Sequence, residues 1–88
     1  MDGTILVKAY PNLVTGLVKL SVTAIDFSKP AFITIYNVSG NIVYKGQMLR
    51  NQVTTEKEID MTGFISGAYF IEVTIGTKAR EVIKVVRL

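Results

Sequence analysis

Three acidic residues at alternating positions are the first candidates for chemistry in this chain. Glu56, Glu58 and Asp60 would share one face of a strand, because successive strand side chains point to opposite sides. Three carboxylates on one face suit a calcium ion or a general acid–base pair. Calcium loops are usually denser in Asp, Asn and Gly, and Lys57 lies between these acids on the other face. We therefore interpret the segment as an exposed, charged strand.

Serine nucleophiles lack the groups that would activate them. The chain has no His and no Cys, so the commonest general base, thiol chemistry and Cys-based metal sites are missing. None of the serines lies in a nucleophile elbow or a Ser-x-x-Lys motif, and Ser39 and Ser66 each precede a turn-favouring Gly. Gly63 and Gly67 precede a predicted strand, so a nucleotide-binding loop does not fit. The sequence predicts no catalytic site, no metal and no cofactor.

The bulk composition favours one small packed domain. The chain has 88 residues, 49% of them hydrophobic and 19% charged, which is typical of a globular core. The net charge of +3 comes from scattered Lys and Arg without a dense basic patch, so no nucleic-acid partner is predicted. No stretch approaches the roughly 18 apolar residues of a membrane span.

Turn residues recur at short intervals and divide the chain into short strands. Two sheets packed face to face are the simplest way to bury the apolar face of nearly every strand. Seven short strands in a chain of this length favour an all-β, seven-stranded immunoglobulin-like antiparallel β-sandwich. The predicted strands are 5–10, 16–22, 31–36, 42–49, 53–59, 69–75 and 78–86.

Three local patterns add detail to this fold. The segment Asn37 to Gly40 suits a type I turn closed by a left-handed Gly, and Gly76-Thr77 suits a two-residue hairpin. Gly67-Ala68-Tyr69 favours a tyrosine corner, in which the phenol bonds to upstream backbone. The alternative is that Tyr69 is an ordinary core aromatic.

The aromatic residues keep a binding role open. Phe32, Tyr36 and Phe70 are predicted to point away from the core face, and an exposed aromatic strip would suit a carbohydrate or protein ligand. An accessory immunoglobulin-like binding module of a secreted protein is therefore the second hypothesis. The last predicted strand has an open side, which also leaves edge pairing into a dimer open.

Four segments, in order and spacing, resemble the type A C-terminal sorting domain of the type IX (Por) secretion system of Bacteroidota. The segments are YPNLVTG at 10–16, TIYNVSGNIVY at 34–44, EIDMTGFISGAYFIEV at 58–73 and IKVVRL at 83–88. Leu13 stands where that family usually has Pro, and Asn37 replaces a frequent Asp. We expect the following motif residues to act through the fold: Tyr10, Pro11, Asn12, Gly16, Gly40, Gly63, Gly67 and Tyr69.

The resemblance implies an address label at the end of a larger exported protein. Residues 5–88 would form the sorting domain, behind a cargo domain on the N-terminal side, and residues 1–4 a short leader or added residues. The type IX secretion machinery would carry the cargo from the periplasm to the cell surface, where a sortase-like peptidase removes the label. The label itself would not be an enzyme. In such domains the extreme C-terminal residues matter for export, which implies the recognition set Lys84, Val85, Val86, Arg87 and Leu88.

Overall fold

The chain forms β-strands and no helix over the residues that the structure describes. This computed structural model describes residues 5–24, 29–50, 52–77 and 79–88, so the predicted leader, residues 1–4, lies outside it. The predicted all-β class is confirmed. The strands are β1 (Leu6–Tyr10), β2 (Leu13–Val14), β3 (Leu17–Thr23), β4 (Ala31–Asn37), β5 (Ile42–Met48), β6 (Thr54–Asp60), β7 (Gly67–Ile75) and β8 (Ala79–Arg87).

Alternation of side-chain type decides which face of each strand is buried. In β7, Tyr69, Ile71, Val73 and Ile75 are buried, and the residues between them are partly exposed. This is the two-residue period of a strand, which leaves one apolar face that a second layer must cover. The same period in β4 buries its alternate apolar residues.

The strands make two sheets. One has three strands in the order β1-β3-β6, and the other has five strands in the order β2-β8-β7-β4-β5. The chain crosses from the first sheet to the second at Pro11 and Asn12, between β1 and β2. Proline lacks a backbone N–H donor, so a strand ladder ends naturally there. β2 then pairs in parallel with β8, whereas the other pairings are antiparallel.

The inner faces of both sheets supply one buried cluster. Each fully buried aliphatic side chain stabilises the fold by about 1.5–3 kcal/mol relative to an exposed one. Since the chain has no Cys, this packing holds the two layers together without disulfides. The largest fully buried side chains are Val14, Val18, Leu20, Val22, Ile33, Ile35, Ile59, Met61, Ile71, Val73 and Val85.

Three details of the predicted topology are wrong. The described residues form eight strands rather than seven, because Leu13 and Val14 form β2 where a turn was expected. Since β2 is parallel to β8, the sandwich is not purely antiparallel. The β7–β8 ladder ends with Ile75 paired with Ala79, so the connection is longer than the two-residue hairpin predicted at Gly76-Thr77.

The β4–β5 hairpin agrees with its prediction. The Gly40 nitrogen donates to the Asn37 oxygen at 3.0 Å, and Gly40 has a φ of 86°. The Asn37 side-chain oxygen accepts from the main-chain nitrogens of Ser39 and Asn41, each at 3.0 Å. Asn37 therefore closes the turn through both its backbone and its amide.

A buried arginine holds two chain segments together near the other end of the molecule. Arg50 was predicted only as a loop residue, yet it is 9% exposed. Its Nη2 donates to the main-chain oxygens of Ala24 at 2.9 Å and Val53 at 3.2 Å. The Val53 oxygen also accepts from the Ala24 nitrogen at 2.9 Å, so the segment after β3 is tied to the segment before β6.

Candidate functional site

The motif segments meet at one end of the five-stranded sheet. Strand pairing places Asn37 beside Tyr69 and Tyr69 beside Val85. One residue further along β8, Val86 lies between Ala68 of β7 and Leu13 of β2. Segments far apart in sequence therefore form one continuous surface, which we call the motif end.

The end of β8 is held between two strands. β7 pairs with it on one side, and β2 pairs with Val86 and Arg87 on the other. The Val86 nitrogen donates to the Asn12 oxygen at 2.8 Å, and the Leu88 nitrogen donates to the Val14 oxygen at 2.9 Å. The side of the last strand that was expected to be open is therefore paired at Val86 and Arg87, and β2 pairs with no other residue of β8. The short β2 occupies that edge.

Arg87 joins β8 to the segment before β7. Its Nε donates to the main-chain oxygen of Met61 at 2.9 Å, and its Nη2 donates to that of Thr62 at 2.9 Å. Its Nη1 also donates to the main-chain oxygen of Leu88. The planar guanidinium presents several donors in fixed directions, so it satisfies three carbonyls at once.

The five residues of the predicted recognition set differ in accessibility. Val85 is fully buried and lies in the core. Lys84 is exposed, Leu88 is 55% exposed, and Val86 and Arg87 are half-buried. The Val85 side chain is therefore inaccessible to a partner that binds the folded domain, whereas Lys84, Val86, Arg87 and Leu88 are at least partly accessible.

The predicted tyrosine corner is present. The Tyr69 phenol donates to the main-chain oxygen of Ile65 at 2.5 Å, and the ring is buried. The Phe64 ring packs against it with centroids 5.2 Å apart. The Met61 nitrogen donates to the Gly16 oxygen at 3.0 Å. These contacts tie the segment between β6 and β7 to both sheets.

The motif glycines do not all need to be glycine. Gly40 and Gly67 have φ values of 86° and 147°, which side-chain-bearing residues rarely adopt. Gly16 and Gly63 have no such φ, and a Cβ at either position would meet open space. The backbone thus requires glycine at two of the four positions.

Pro11 and Asn12 act through main-chain geometry. The Tyr10–Pro11 peptide bond is cis. Both residues are exposed, and Asn12 contributes its carbonyl oxygen to the bond with Val86. The first motif therefore places backbone groups against β8 rather than presenting a catalytic side chain.

The acidic segment forms an exposed, charged strand, as predicted, and this strand, β6, lies at a sheet edge. Glu56 accepts from the Tyr10 phenol at 2.6 Å and lies 3.9 Å from the Lys19 Nζ. The hydrogen bond to Glu56 raises the pKa of Tyr10. Asp60 accepts from the hydroxyl and the main-chain nitrogen of Thr62, which lowers the pKa of its carboxyl. In the described ranges, no group of three acidic side chains has a geometry that would hold a metal ion.

The outward aromatics lie on the solvent side of the five-stranded sheet, as expected. Phe32 is 49% exposed, and Tyr36 and Phe70 are half-buried cross-strand neighbours. The Tyr36 phenol donates to Glu72 Oε1 at 3.2 Å, and this bond raises the pKa of Tyr36. Aromatics on one flat sheet face form a surface rather than a cleft for a small molecule.

Residue types alone do not predict the contacts that hold β8. The clamp by Asn12 and Val14 uses backbone groups, and the Met61 and Thr62 oxygens that bind Arg87 are also main-chain atoms. The only available signal was that these residues belong to the four ordered segments. The described part of the chain contains no helix that is long and apolar enough to span a membrane.

An all-β, two-sheet domain whose ordered motifs converge on a clamped terminal strand has the character of a recognition module. The family model described as "Secretion system C-terminal sorting domain" matches residues 8–87, and the chain belongs to this family. The domain is thus a C-terminal sorting signal for type IX secretion, as the four segments indicated. A type IX sorting signal implies export to the cell surface or the extracellular space. No curated protein matches the chain.

Proposed function

We propose that the folded domain is a rigid label in which the side chains of Lys84, Val86 and Leu88 are recognised by the type IX machinery. The observation that carries this is the exposure of Lys84 and Leu88 and the partial exposure of Val86, on a strand end that is paired on both sides. Val85 and Arg87 act through the fold, one as a core residue and the other as a tie to Met61 and Thr62.

Preorganisation makes this a usable signal. Binding loses free energy when a flexible segment must be ordered, at about 0.5–1.5 kcal/mol for each immobilised side chain. The bonds from Val86 to Asn12 and from Leu88 to Val14 fix the backbone before any partner arrives. Because these bonds already order the segment, binding loses less free energy to ordering it, although the bonds themselves make no contact with the partner.

An immunoglobulin-like plan is the architecture we infer for the label. Three observations support it: a first strand divided between the two sheets, the sheet order β2-β8-β7-β4-β5 opposite β1-β3-β6, and a tyrosine corner at the start of β7. The domain would then span residues 5–88.

The label serves a larger protein. We infer that a cargo domain precedes it, that the cargo carries whatever catalytic activity the parent has, and that a sortase-like peptidase separates the two at the surface. Family membership supports this reading, since a sorting domain implies both the type IX machinery and cargo on its N-terminal side. It disfavours the accessory carbohydrate-binding module.

Export of a reporter tests the recognised side chains. The variant domain carries both Lys84→Glu and Leu88→Ser. It is fused behind a fluorescent reporter and produced in a type IX-competent bacterium. Both side chains are exposed, so the core is retained. We expect surface and medium fluorescence to fall about tenfold or more, as for a loss of binding free energy of about 1.4 kcal/mol.

A matched control separates recognition from general surface effects. Leu17→Ser replaces a leucine that is also 55% exposed, but in the other sheet. It should export like the unmodified fusion. Equal export of all three proteins would contradict the proposed role of the terminal side chains.

A further inference from the structure

The solvent side of the five-stranded sheet is apolar over much of its area. Along each strand these side chains alternate with core residues. The register places Leu13 beside Val86, and Tyr36 between Phe70 and Ile42. Val82 lies beside Glu72, and Phe32 lies between Thr74 and Gln47. Leu13, Ile42, Phe32 and Val82 are 59%, 51%, 49% and 42% exposed. We call this surface the outer face, and its principal apolar residues are Leu13, Phe32, Ile42, Phe70, Val82 and Val86.

The opposite side of the molecule differs in character. The solvent side of the three-stranded sheet carries an ion pair between Lys19 and Glu56, and Glu56 also accepts from Tyr10. Its leucines, Leu6 and Leu17, pair with Thr23 and Asp60 at opposite ends of the β3 ladder. The solvent side of the five-stranded sheet therefore carries more exposed apolar side chains than that of the three-stranded sheet.

The charges on the outer face are positive on balance. Glu72 is ion-paired with Arg80 and accepts from the Tyr36 phenol. Lys45 and Lys84 are exposed on the same side, and the described residues place no carboxylate in ion-pair distance of either. An occupant of this face meets apolar side chains together with two lysines, of which Lys84 lies between Val82 and Val86 and beside Phe70.

We infer that the outer face docks a protein surface of the export machinery that presents apolar side chains bordered by carboxylates. The inference rests on the proposed sorting function and extends the contact from the terminal side chains Lys84 and Val86 across the rest of the same face. Charge complementarity selects this occupant, because carboxylates opposite Lys45 and Lys84 steer the encounter and fix its register.

A second copy of the chain fits this face poorly. Pairing two outer faces would bring in two more lysines, whereas Glu72 is already bound by Arg80. An anionic membrane also fits poorly, because two lysines supply only about 1 kcal/mol each, and lipid-binding segments use clusters of about 4–8 basic residues. A protein partner remains, since it can match both the apolar and the charged positions.

The size of the face indicates a transient contact. Strands about 4.8 Å apart and same-side residues about 6.8 Å apart give a face of roughly 400 Å². Exposed patches of this size on monomers are often functional, but a standard interface covers about 800 Å² on each partner. A shallow groove of about 240 Å³ between residues 37–38 and residues 65–69 adjoins the face at Ala68.

The export assay tests this surface without touching the terminal segment. Ile42→Ser with Val82→Ser replaces two half-exposed residues of the outer face, and Leu6→Ser with Leu17→Ser replaces two residues of similar exposure in the other sheet. We expect the first pair to lower export about tenfold or more and the second to change it less than about twofold. Lys45→Glu removes no apolar contact and should also lower export, whereas Lys45→Arg should not.

Crosslinking identifies the contact directly. We expect p-benzoylphenylalanine in place of Val82 to crosslink to an identified component of the export machinery in living cells. The same group in place of Leu6, on the other sheet, should not. Crosslinks from both positions, or from neither, would overturn the inference.

Each remaining outcome has one meaning. If the unmodified fusion is not exported, the sorting function and this inference both fail. If the unmodified fusion is exported, and the Ile42→Ser/Val82→Ser and Lys45→Glu variants are exported equally well, only the inference fails. Two further results would also overturn the inference. Binding of the domain to phosphatidylglycerol vesicles that is lost in the Ile42→Ser/Val82→Ser variant would assign the face to a membrane. A dimer in sedimentation equilibrium that is lost in the same variant would assign the face to a second copy of the chain.

Discussion

The Arg87 Nε donates to the main-chain oxygen of Met61 at 2.9 Å, and this bond joins the last strand to the turn that precedes β7. Met61 is fully buried, and its own nitrogen donates to the Gly16 oxygen. Three chain segments that are distant in sequence are therefore linked through one residue. The position of the terminal strand depends on this linkage as well as on the core.

Removing the Arg87 side chain should loosen the motif end. Arg87→Ala leaves the Met61 and Thr62 oxygens without their charged donor, and we expect a loss of about 1–3 kcal/mol in the free energy of unfolding. Urea denaturation measures it. Lys8→Ala, at an exposed position, is the control and should change stability by less than about 0.5 kcal/mol. Equal values for the two variants would contradict a structural role for Arg87.

The tyrosine corner should contribute through its hydroxyl alone. Tyr69→Phe keeps the buried ring and its contact with Phe64 but removes the bond to the Ile65 oxygen. We expect a loss of about 1 kcal/mol, with the denaturant slope unchanged. Tyr44→Phe serves as a comparison in a partly buried ring and should lose less. A Tyr69→Phe domain as stable as the wild type would show that the bond contributes nothing.

Two motif glycines should respond differently to alanine. Gly67 has a φ of 147°, so Gly67→Ala should destabilise the domain by about 1–3 kcal/mol. Gly63→Ala meets open space without a positive φ and should be neutral or slightly stabilising, because alanine restricts the unfolded chain. Thermal unfolding of both variants compares them. The same shift for both would contradict the role given to the Gly67 backbone.

Asp60 should give the domain a pH-dependent contribution at acid pH. The Thr62 hydroxyl and nitrogen hold the pKa of the Asp60 carboxyl below its ordinary value of 3.8. Such a contribution is complete above pH 3.8 and is lost as pH falls through the lowered folded-state pKa. Thr62→Ala removes the hydroxyl donor, so its stability difference from wild type should shrink below pH 3.8. Urea midpoints across this range measure it, and a difference that is independent of pH would refute the assignment.

The fold was predictable wherever a strand was long enough to show the two-residue alternation of buried and exposed side chains. Tyr69, Ile71 and Val73 alternate with partly exposed residues, and that pattern located β7 correctly. Leu13 and Val14 are too few to show any period, so β2 was missed. Its pairing depends on where the terminal strand lies, which is a tertiary relationship and not a local one.

The ordered motifs located the motif end in the sequence, but they did not predict its geometry. Lys84 and Val85 are adjacent in sequence, and only packing decides that one is exposed and the other lies in the core. The bonds from Arg87 end on main-chain oxygens, which have the same chemistry at every position. Side-chain identity therefore marks the region, whereas the fold decides which residues a partner meets.

The most direct test of the account is whether this domain alone redirects a protein. Residues 5–88 are placed behind a signal peptide and a fluorescent reporter, and the surface and medium fractions are measured in a type IX-competent strain and in the same strain with that system disabled. The account predicts export in the competent strain and retention in the periplasm of the disabled one. Retention in both strains, as for the reporter without the domain, would contradict it.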